Sequence, residues 1–381
     1  MAEPTLVIEA LAAGGDGVGR ACDGRVVFVP FTAPGDRVRV RIERARRRHA
    51  HARLLEIEAP GPARVTPACP VFSRCGGCTW QHVRYEVQLE AKAQILRDAL
   101  ARLGGIAWPE PIPVLASPSS YHYRGRARVV VEAGRVGYRE RRSHAVCATA
   151  ACPILVPELE AQLSRLAAEP PADSGEWELA AGGGEVRATA AGSGAGGRLF
   201  VSAAGERIGF SAGVFVQANA LLLEPLAERV LAAAGSGAVG LELHAGAGFF
   251  TLALARRFAR LAAIESNPLA AADLRQNLKD AGLGNVEVWA RRAEAALEDA
   301  VALRPDAVLV DPPRAGLSPA VREALGRLSP RLAYLSCDPA TLARDLRDLG
   351  RHGLRLVRLE VIDLFPQTAH VEALAVMERA G

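Results

Sequence analysis

Valine and isoleucine alternate with arginine through Val38-Arg39-Val40-Arg41-Ile42, the period of two that a half-buried strand requires. Val26 to Val29 is a second short strand. Gly14-Gly15-Asp16-Gly17-Val18-Gly19 and Pro34-Gly35-Asp36 supply turns, so residues 1–58 read as a small all-β barrel with one arginine-bearing face. Ala59-Pro60-Gly61-Pro62 reads as a linker. In a middle region, 63–205, a helix is predicted over Tyr85 to Leu103 and a strand over Ala127 to Glu132. The stretch from Glu169 to Gly197 is rich in Ala and Gly without a clear period, and reads as loop and edge structure.

From 210 to 381 the pattern becomes strand, helix, strand, helix. Val239 to Leu243 leads into the glycine loop Ala245-Gly246-Ala247-Gly248, and a helix is predicted over Phe249 to Phe258. Leu261 to Ile264 is a strand ending at Glu265. Val286 to Trp289, Ala307 to Val310, Leu332 to Ser336, Leu354 to Val361 and Ala373 to Met377 continue the series. Such alternation predicts a doubly wound α/β domain, so the chain is expected to be a multidomain α/β protein.

Composition adds three points. A chain of 381 residues has room for two or three domains. The formal net charge is only +4, but Arg37 to Arg53 holds eight arginines against one acid, Glu43. That block reads as a footprint for phosphate, against the plainer reading of a solvated charged face. The first ten residues lack a secretory pattern and no apolar stretch is long enough to span a membrane, so a cytoplasmic protein with reduced cysteines is expected.

The glycine loop follows a strand and opens a helix, and Glu265 comes 19 residues after Gly246, where a carboxylate can accept from ribose hydroxyls. The loop lacks the G-x-G-x-x-G spacing of nicotinamide-binding folds, which favours S-adenosylmethionine. Asp311-Pro312-Pro313-Arg314 follows a later strand. Amino-group methyltransferases place an aromatic after such an acid-Pro-Pro run, and the arginine here argues against exocyclic nitrogen as target. Cys337 stands where a strand ends and Asp338-Pro339 starts a helix, so the helix dipole is expected to favour its thiolate. The plainer alternative is a buried core cysteine. A nucleophilic thiol beside a methyl donor points to methylation of carbon, because pyrimidine C5 is a poor nucleophile until something adds to C6. Glu372, placed at an edge of the same sheet, is a candidate base for the C5 proton, and His370 is its rival. Cys69-x5-Cys75-x2-Cys78 with Cys152 is a thiolate set suited to zinc or to an iron–sulfur cluster.

Taken together, Gln217 in Phe215-Val216-Gln217-Ala218-Asn219, the glycine loop, Asp311 to Arg314, Ser336 to Pro339 and His370-Val371-Glu372 resemble the RNA 5-methyluridine (uracil-C5) methyltransferase family. Gly17 to Arg20, Phe28 to Pro30 and Pro34 to Asp36 resemble its TRAM domain, an OB-like RNA-binding barrel. The resemblance implies Cys337 as nucleophile and Glu372 as base. It implies Gln217, His244, Gly246, Phe249, Glu265 and Asp311 around S-adenosylmethionine, and Cys69, Cys75, Cys78 and Cys152 on a [4Fe-4S] cluster. Family members often carry an aromatic at the position of His244 and Asn at that of Phe249. A TRAM domain with four cysteines points to structured RNA, 23S ribosomal RNA in particular, and a monomer is expected. The alternatives are transfer RNA, or an RNA-binding assembly protein with a vestigial methyltransferase domain.

Overall fold

The computed structural model describes residues 3–193, 197–328 and 330–379. Strands β1 (Thr5–Leu11), β2 (Gly17–Arg20), β3 (Val26–Val29), β4 (Arg37–Ala45) and β5 (His49–Ala59) close a barrel in the order β1-β2-β3-β5-β4. Leu6, Ile8, Val27, Val29, Val38 and Val40 fill it. Period-two alternation puts Arg37, Arg39 and Arg41 outside, but that face is not a free cationic surface. Arg37 meets Glu58 at 3.0 Å, Arg39 meets Glu56 at 2.6 Å and Arg41 meets Glu3 at 2.5 Å. The positive charge is instead concentrated at the tip of the β4–β5 hairpin. There Arg44, Arg46, Arg47 and Arg48 are exposed and have no ion-pair partner among the described residues.

The barrel is docked onto the rest of the chain. Arg64, just past the linker, grips the buried Asp36 (Nη2 to Oδ2, 2.6 Å), and the indole of Trp80 donates to the carbonyl of Gly15 at 3.1 Å. Helix α1 (Tyr85–Ala99) continues as one wider turn, Leu100–Gly104, closed by Gly105 at φ 63°. Beyond β6 (Val114–Leu115) come β7 (Arg126–Glu132), β8 (Arg135–Arg139), β9 (Val146–Ala148), α2 (Pro157–Ala168), β10 (Gly175–Gly182) and β11 (Glu185–Ala190). They form an antiparallel sheet, β11-β10-β7-β8-β9, with α2 packed on it. Most of the stretch expected to be loop and edge structure is a hairpin at the edge of this sheet, although its residues 194–196 lie outside those described. Its alanines are tolerated because β10 borrows the valine-rich face of β7, with Trp177 opposite Val129 and Leu179 opposite Ala127.

The C-terminal part opens with the hairpin β12 (Arg198–Ala203) and β13 (Glu206–Ser211), then α3 (Leu223–Ala234), β14 (Gly237–Leu243), α4 (Thr251–Ala255), β15 (Phe258–Ile264) and α5 (Pro268–Asp280). It continues through β16 (Val286–Trp289), α6 (Leu297–Leu303), β17 (Ala307–Val310), α7 (Pro319–Leu328), β18 (Arg331–Ser336), α8 (Pro339–Arg351), β19 (Leu354–Ile362) and β20 (Glu372–Arg379). One sheet runs β16-β15-β14-β17-β18-β20-β19-β6. Residues of α3, α4 and α5 cover one face, and those of α1, α6, α7 and α8 the other, as a doubly wound fold requires. The predicted helix Phe249 to Phe258 shrinks to α4, because Phe258 is already strand and its ring fills the space left by Gly240 on β14. Among the described residues no helix is long and apolar enough to cross a membrane.

Candidate active site

Strand order decides which side chains meet. β20 runs antiparallel between β18 and β19, with Ala373 opposite Ser336. The first residue of β20 and the residue just after β18 therefore share one rim of the sheet, which brings Glu372 beside Cys337. This corrects the expected edge position: Glu372 begins an interior strand and is buried. On the other side β14 and β17 are parallel, with Leu243 opposite Val310, so His244 and Asp311 leave the sheet side by side. The segment after β13 brings in Gln217, whose Nε2 donates to Asp311 Oδ2 at 3.3 Å.

The glycine loop is held by the next strand. Glu265 accepts from the amide of Gly246 at 2.8 Å and from that of Asn267 at 2.6 Å. His244, Gly246 and Gly248 all have positive φ (63°, 58° and 93°), which glycine adopts freely and histidine does not. His244 borders an open cleft of about 730 Å³ with Ser266, Arg292, Glu294 and Ser318. Those four escaped the sequence reading, although all follow the C-terminal ends of parallel strands, where such folds bind ligands. Phe249 is placed in the core, edge-on to Phe250 with ring centroids 4.9 Å apart.

Burial sets the electrostatics of the rim. It raises the carboxyls of Asp311 and Glu372 above the usual carboxylate range, and that of Glu242, inside β14, up to about 8. Oε2 of Glu242 has no hydrogen-bond partner among the described residues. The thiol of Cys337 is pushed up to about 11 by burial, then by the neighbouring Glu372 and Asp311 carboxyls, with the Arg314 guanidinium opposing. The favoured thiolate expected from the helix dipole is thus opposed, first by burial and then by Glu372 and Asp311. The first turn of α8 is already capped by Asp338, which accepts from Thr341 N at 2.8 Å. His370 is exposed, with its ring against Arg314 (Nη2 to Nδ1, 3.2 Å).

A second site adjoins the first. Cys69, Cys75, Cys78 and Cys152 line one cavity of about 290 Å³, together with Tyr138, Arg124 and His370. Cys147, by contrast, is buried outside that lining. Burial drives the thiols of Cys75 and Cys78 up to about 12, and the neighbouring Cys69 and Cys152 raise both further. Among the described residues no three His, Cys, Asp or Glu side chains are gathered closely enough to hold a metal ion.

Comparison with known proteins fits this geometry. Residues 201–380 match the tRNA (Uracil-5-)-methyltransferase family model, and residues 4–55 match the TRAM domain. A 23S rRNA (uracil(1939)-C(5))-methyltransferase of Alkalilimnicola ehrlichii is 33% identical over 98% of this chain and 96% of its own. An uncharacterized RNA methyltransferase of Gloeobacter violaceus is 33% identical over 99% of this chain and 96% of its own. The chain belongs to the RNA uracil-C5 methyltransferase family. Its fold is shared by the Pyrococcus abyssi tRNA (uracil-54, C5)-methyltransferase crystallised with S-adenosyl-L-homocysteine, at a TM-score of 0.76 and 24% identity, covering 98% of this chain and all of that one.

The raised thiol gives this uracil-C5 methyltransferase a measurable signature. Thiolate is the species that alkylates, and below its pKa the thiolate fraction grows about tenfold per pH unit. Alkylation of Cys337 in the ligand-free enzyme should therefore be slow at pH 7 relative to the exposed Cys22, and should climb steeply from pH 7 to 9. Site-resolved mass spectrometry of iodoacetamide-treated protein reads both rates. A fast, flat profile for Cys337 would show that burial and the two acids do not govern this thiol.

Proposed function

We propose that this RNA (uracil-C5)-methyltransferase acts on 23S ribosomal RNA through a covalent bond between Cys337 and uracil C6. The observation that carries this reading is the meeting of Cys337, Glu372 and Asp311 at one sheet rim. The target uridine must leave its stack to reach that rim. Cys337 sulfur adds to C6, and the electron pair of the C5=C6 bond moves towards C5 and the carbonyl. S-adenosylmethionine, when bound, supplies the methyl group on a cationic sulfur. Buried acids such as Asp311 and Glu242 suit a cationic ligand, whose charge would favour their carboxylate forms. We assign its adenosyl part to the cleft beside His244, with Glu265 at the ribose, Gly246 in the loop and Gln217 and Asp311 towards the methionine end. Phe249 then supports the loop from behind. After methylation Glu372 removes the C5 proton, the C5–H pair forms C5=C6, and the C6–S pair returns to Cys337. His370 is the poorer base because it faces the permanent cation of Arg314.

The four cavity cysteines suit a [4Fe-4S] cluster. Four thiolates are the donor set such a cluster takes, and the cavity of about 290 Å³ gives room at its centre. Cys69, Cys75, Cys78 and Cys152 would hold the cluster within a central region, 63–205, between the RNA-binding barrel of 1–58 and the methyltransferase region of 210–381. Ribosomal RNA is favoured over transfer RNA by the pairing of a TRAM domain with these cysteines, and over a scaffold role by the intact rim.

Cys337→Ala should abolish methylation while S-adenosylmethionine still binds. Glu372→Gln should stall after methyl transfer and leave a protein–RNA adduct that survives denaturing electrophoresis. Full activity of Cys337→Ala in a tritiated-methyl assay would sink the covalent scheme, and full activity of Glu372→Gln without an adduct would point to His370 or water as the base.

Protein purified without oxygen should be brown, with broad absorption near ~400 nm. Colourless protein carrying one zinc per chain would rule the cluster out.

At the barrel, the hairpin tip and not the strand face should hold phosphate. Replacing Arg46, Arg47 and Arg48 by Ala should reduce the slope of log K for RNA against log salt by about 2, at roughly 0.7 per lost phosphate contact. The same change at Arg37, Arg39 and Arg41 should leave the slope almost unchanged, because those side chains are already paired. Filter binding over a range of salt distinguishes the two sets.

A further inference from the structure

The segment Asp363 to His370 leads from the end of β19 to Glu372, and its shape is imposed from outside its own sheet. Lys92 of α1 and Asp363 are both fully buried and paired, Nζ to Oδ1 at 2.5 Å. Lys92 Nζ also donates to the carbonyl of Phe365 at 2.9 Å. The other oxygen of Asp363 accepts from Tyr85 hydroxyl at 2.7 Å. Gln367, held in the left-handed region at φ 66°, exchanges two hydrogen bonds with the side chain of Gln88, at 2.9 and 3.0 Å. Its carbonyl accepts from the amides of Thr79 and Trp80 at 3.0 and 2.9 Å. Ala369 N donates to Thr79 Oγ1 at 3.0 Å, and Tyr123 hydroxyl donates to the carbonyl of Pro366 at 2.9 Å. Thr79 directly follows Cys78.

An ion pair buried this completely is a poor way to gain stability, since apolar side chains of the same volume do as well or better. Its merit is direction, because a charged pair with hydrogen bonds fixes where a chain runs. We propose that Lys92 is a positioning residue for the base, acting with Gln88 and Thr79 to hold the segment that delivers Glu372. The proposal rests on the reading of Glu372 as the group that removes the C5 proton. In that step the proton passes to the carboxylate, the C5–H pair becomes the C5=C6 bond, and the C6–S pair returns to Cys337. Contacts of the methyl donor with Gly246, Glu265 and His244 lie on other loops and do not pass through Lys92. Losing the brace should therefore impair elimination and spare donor binding.

The test uses the full chain, purified without oxygen, with Lys92→Met, Thr79→Val and Thr79→Ser beside Glu372→Gln. Steady-state kinetics and the fraction of enzyme trapped as RNA adduct on denaturing gels are read together. Lys92→Met should lower kcat by about 100-fold, the scale of an ångström's misplacement of a reacting group, and raise the adduct fraction towards that of Glu372→Gln. Its KM for S-adenosylmethionine should stay within about twofold of the parent's, because the donor loops are untouched. Thr79→Val should show the same pattern more weakly, and Thr79→Ser, which keeps the hydroxyl, should restore both readouts. Parental adduct levels in Lys92→Met and Thr79→Val, while Glu372→Gln does trap, would overturn the proposal and leave the assignment of Glu372 standing. Absence of adduct in Glu372→Gln itself would overturn that assignment and, with it, the proposal. If Lys92→Met does not fold, the two Thr79 variants decide alone: trapping in Val with rescue in Ser supports the brace, and any other result overturns it.

Discussion

The antiparallel entry of β20 between β18 and β19 is the constraint from which the site follows. A parallel sheet delivers strand ends, and the loops that leave them, to one rim. Only a strand running the other way can bring its beginning there. Glu372 reaches the rim occupied by Cys337 and Asp311 for that reason alone, with a backbone ladder on both sides to hold it. Three acidic side chains then crowd a region of low polarity, and their protonation, together with that of the thiol, is governed by burial more than by any single neighbour. The rim thus combines buried acids with a thiol whose pKa burial raises.

The chemistry-bearing loops were legible in the sequence because their geometry is local. A strand, a short loop and a helix start are enough to place Cys337, Gly246 and Glu265, and the structure finds those residues at strand ends. What was not legible depended on partners elsewhere in the chain. The strand face of the barrel looked cationic from its own alternation, while Glu3, Glu56 and Glu58, which neutralise it, come from outside β4. Gly175 to Ala190 read only as loop and edge structure because its alanines carry little signal until β7 lies beside them. The thiol of Cys337 looked activated because a helix start can be read from Asp338-Pro339, whereas the acids that oppose it arrive from β17 and β20.

The cysteine cavity reaches the rim at His370, which lines that cavity and touches Arg314. The cysteine region therefore abuts the rim that holds Cys337 and Glu372. Its loop after Cys78 touches the approach to Glu372 directly, through Thr79 and Trp80.

Those contacts also differ greatly in the length of chain they close. The bond between Gly246 and Glu265 closes a loop of 19 residues, at a small cost in loop entropy. The bonds from Lys92, Gln88 and Thr79 to the segment before Glu372 span 271, 279 and 290 residues. Contacts of such range carry a larger loop-closure entropy than the 19-residue loop does. The glycine loop is thus a local construction, whereas the approach to Glu372 depends on segments from both ends of the fold being in place.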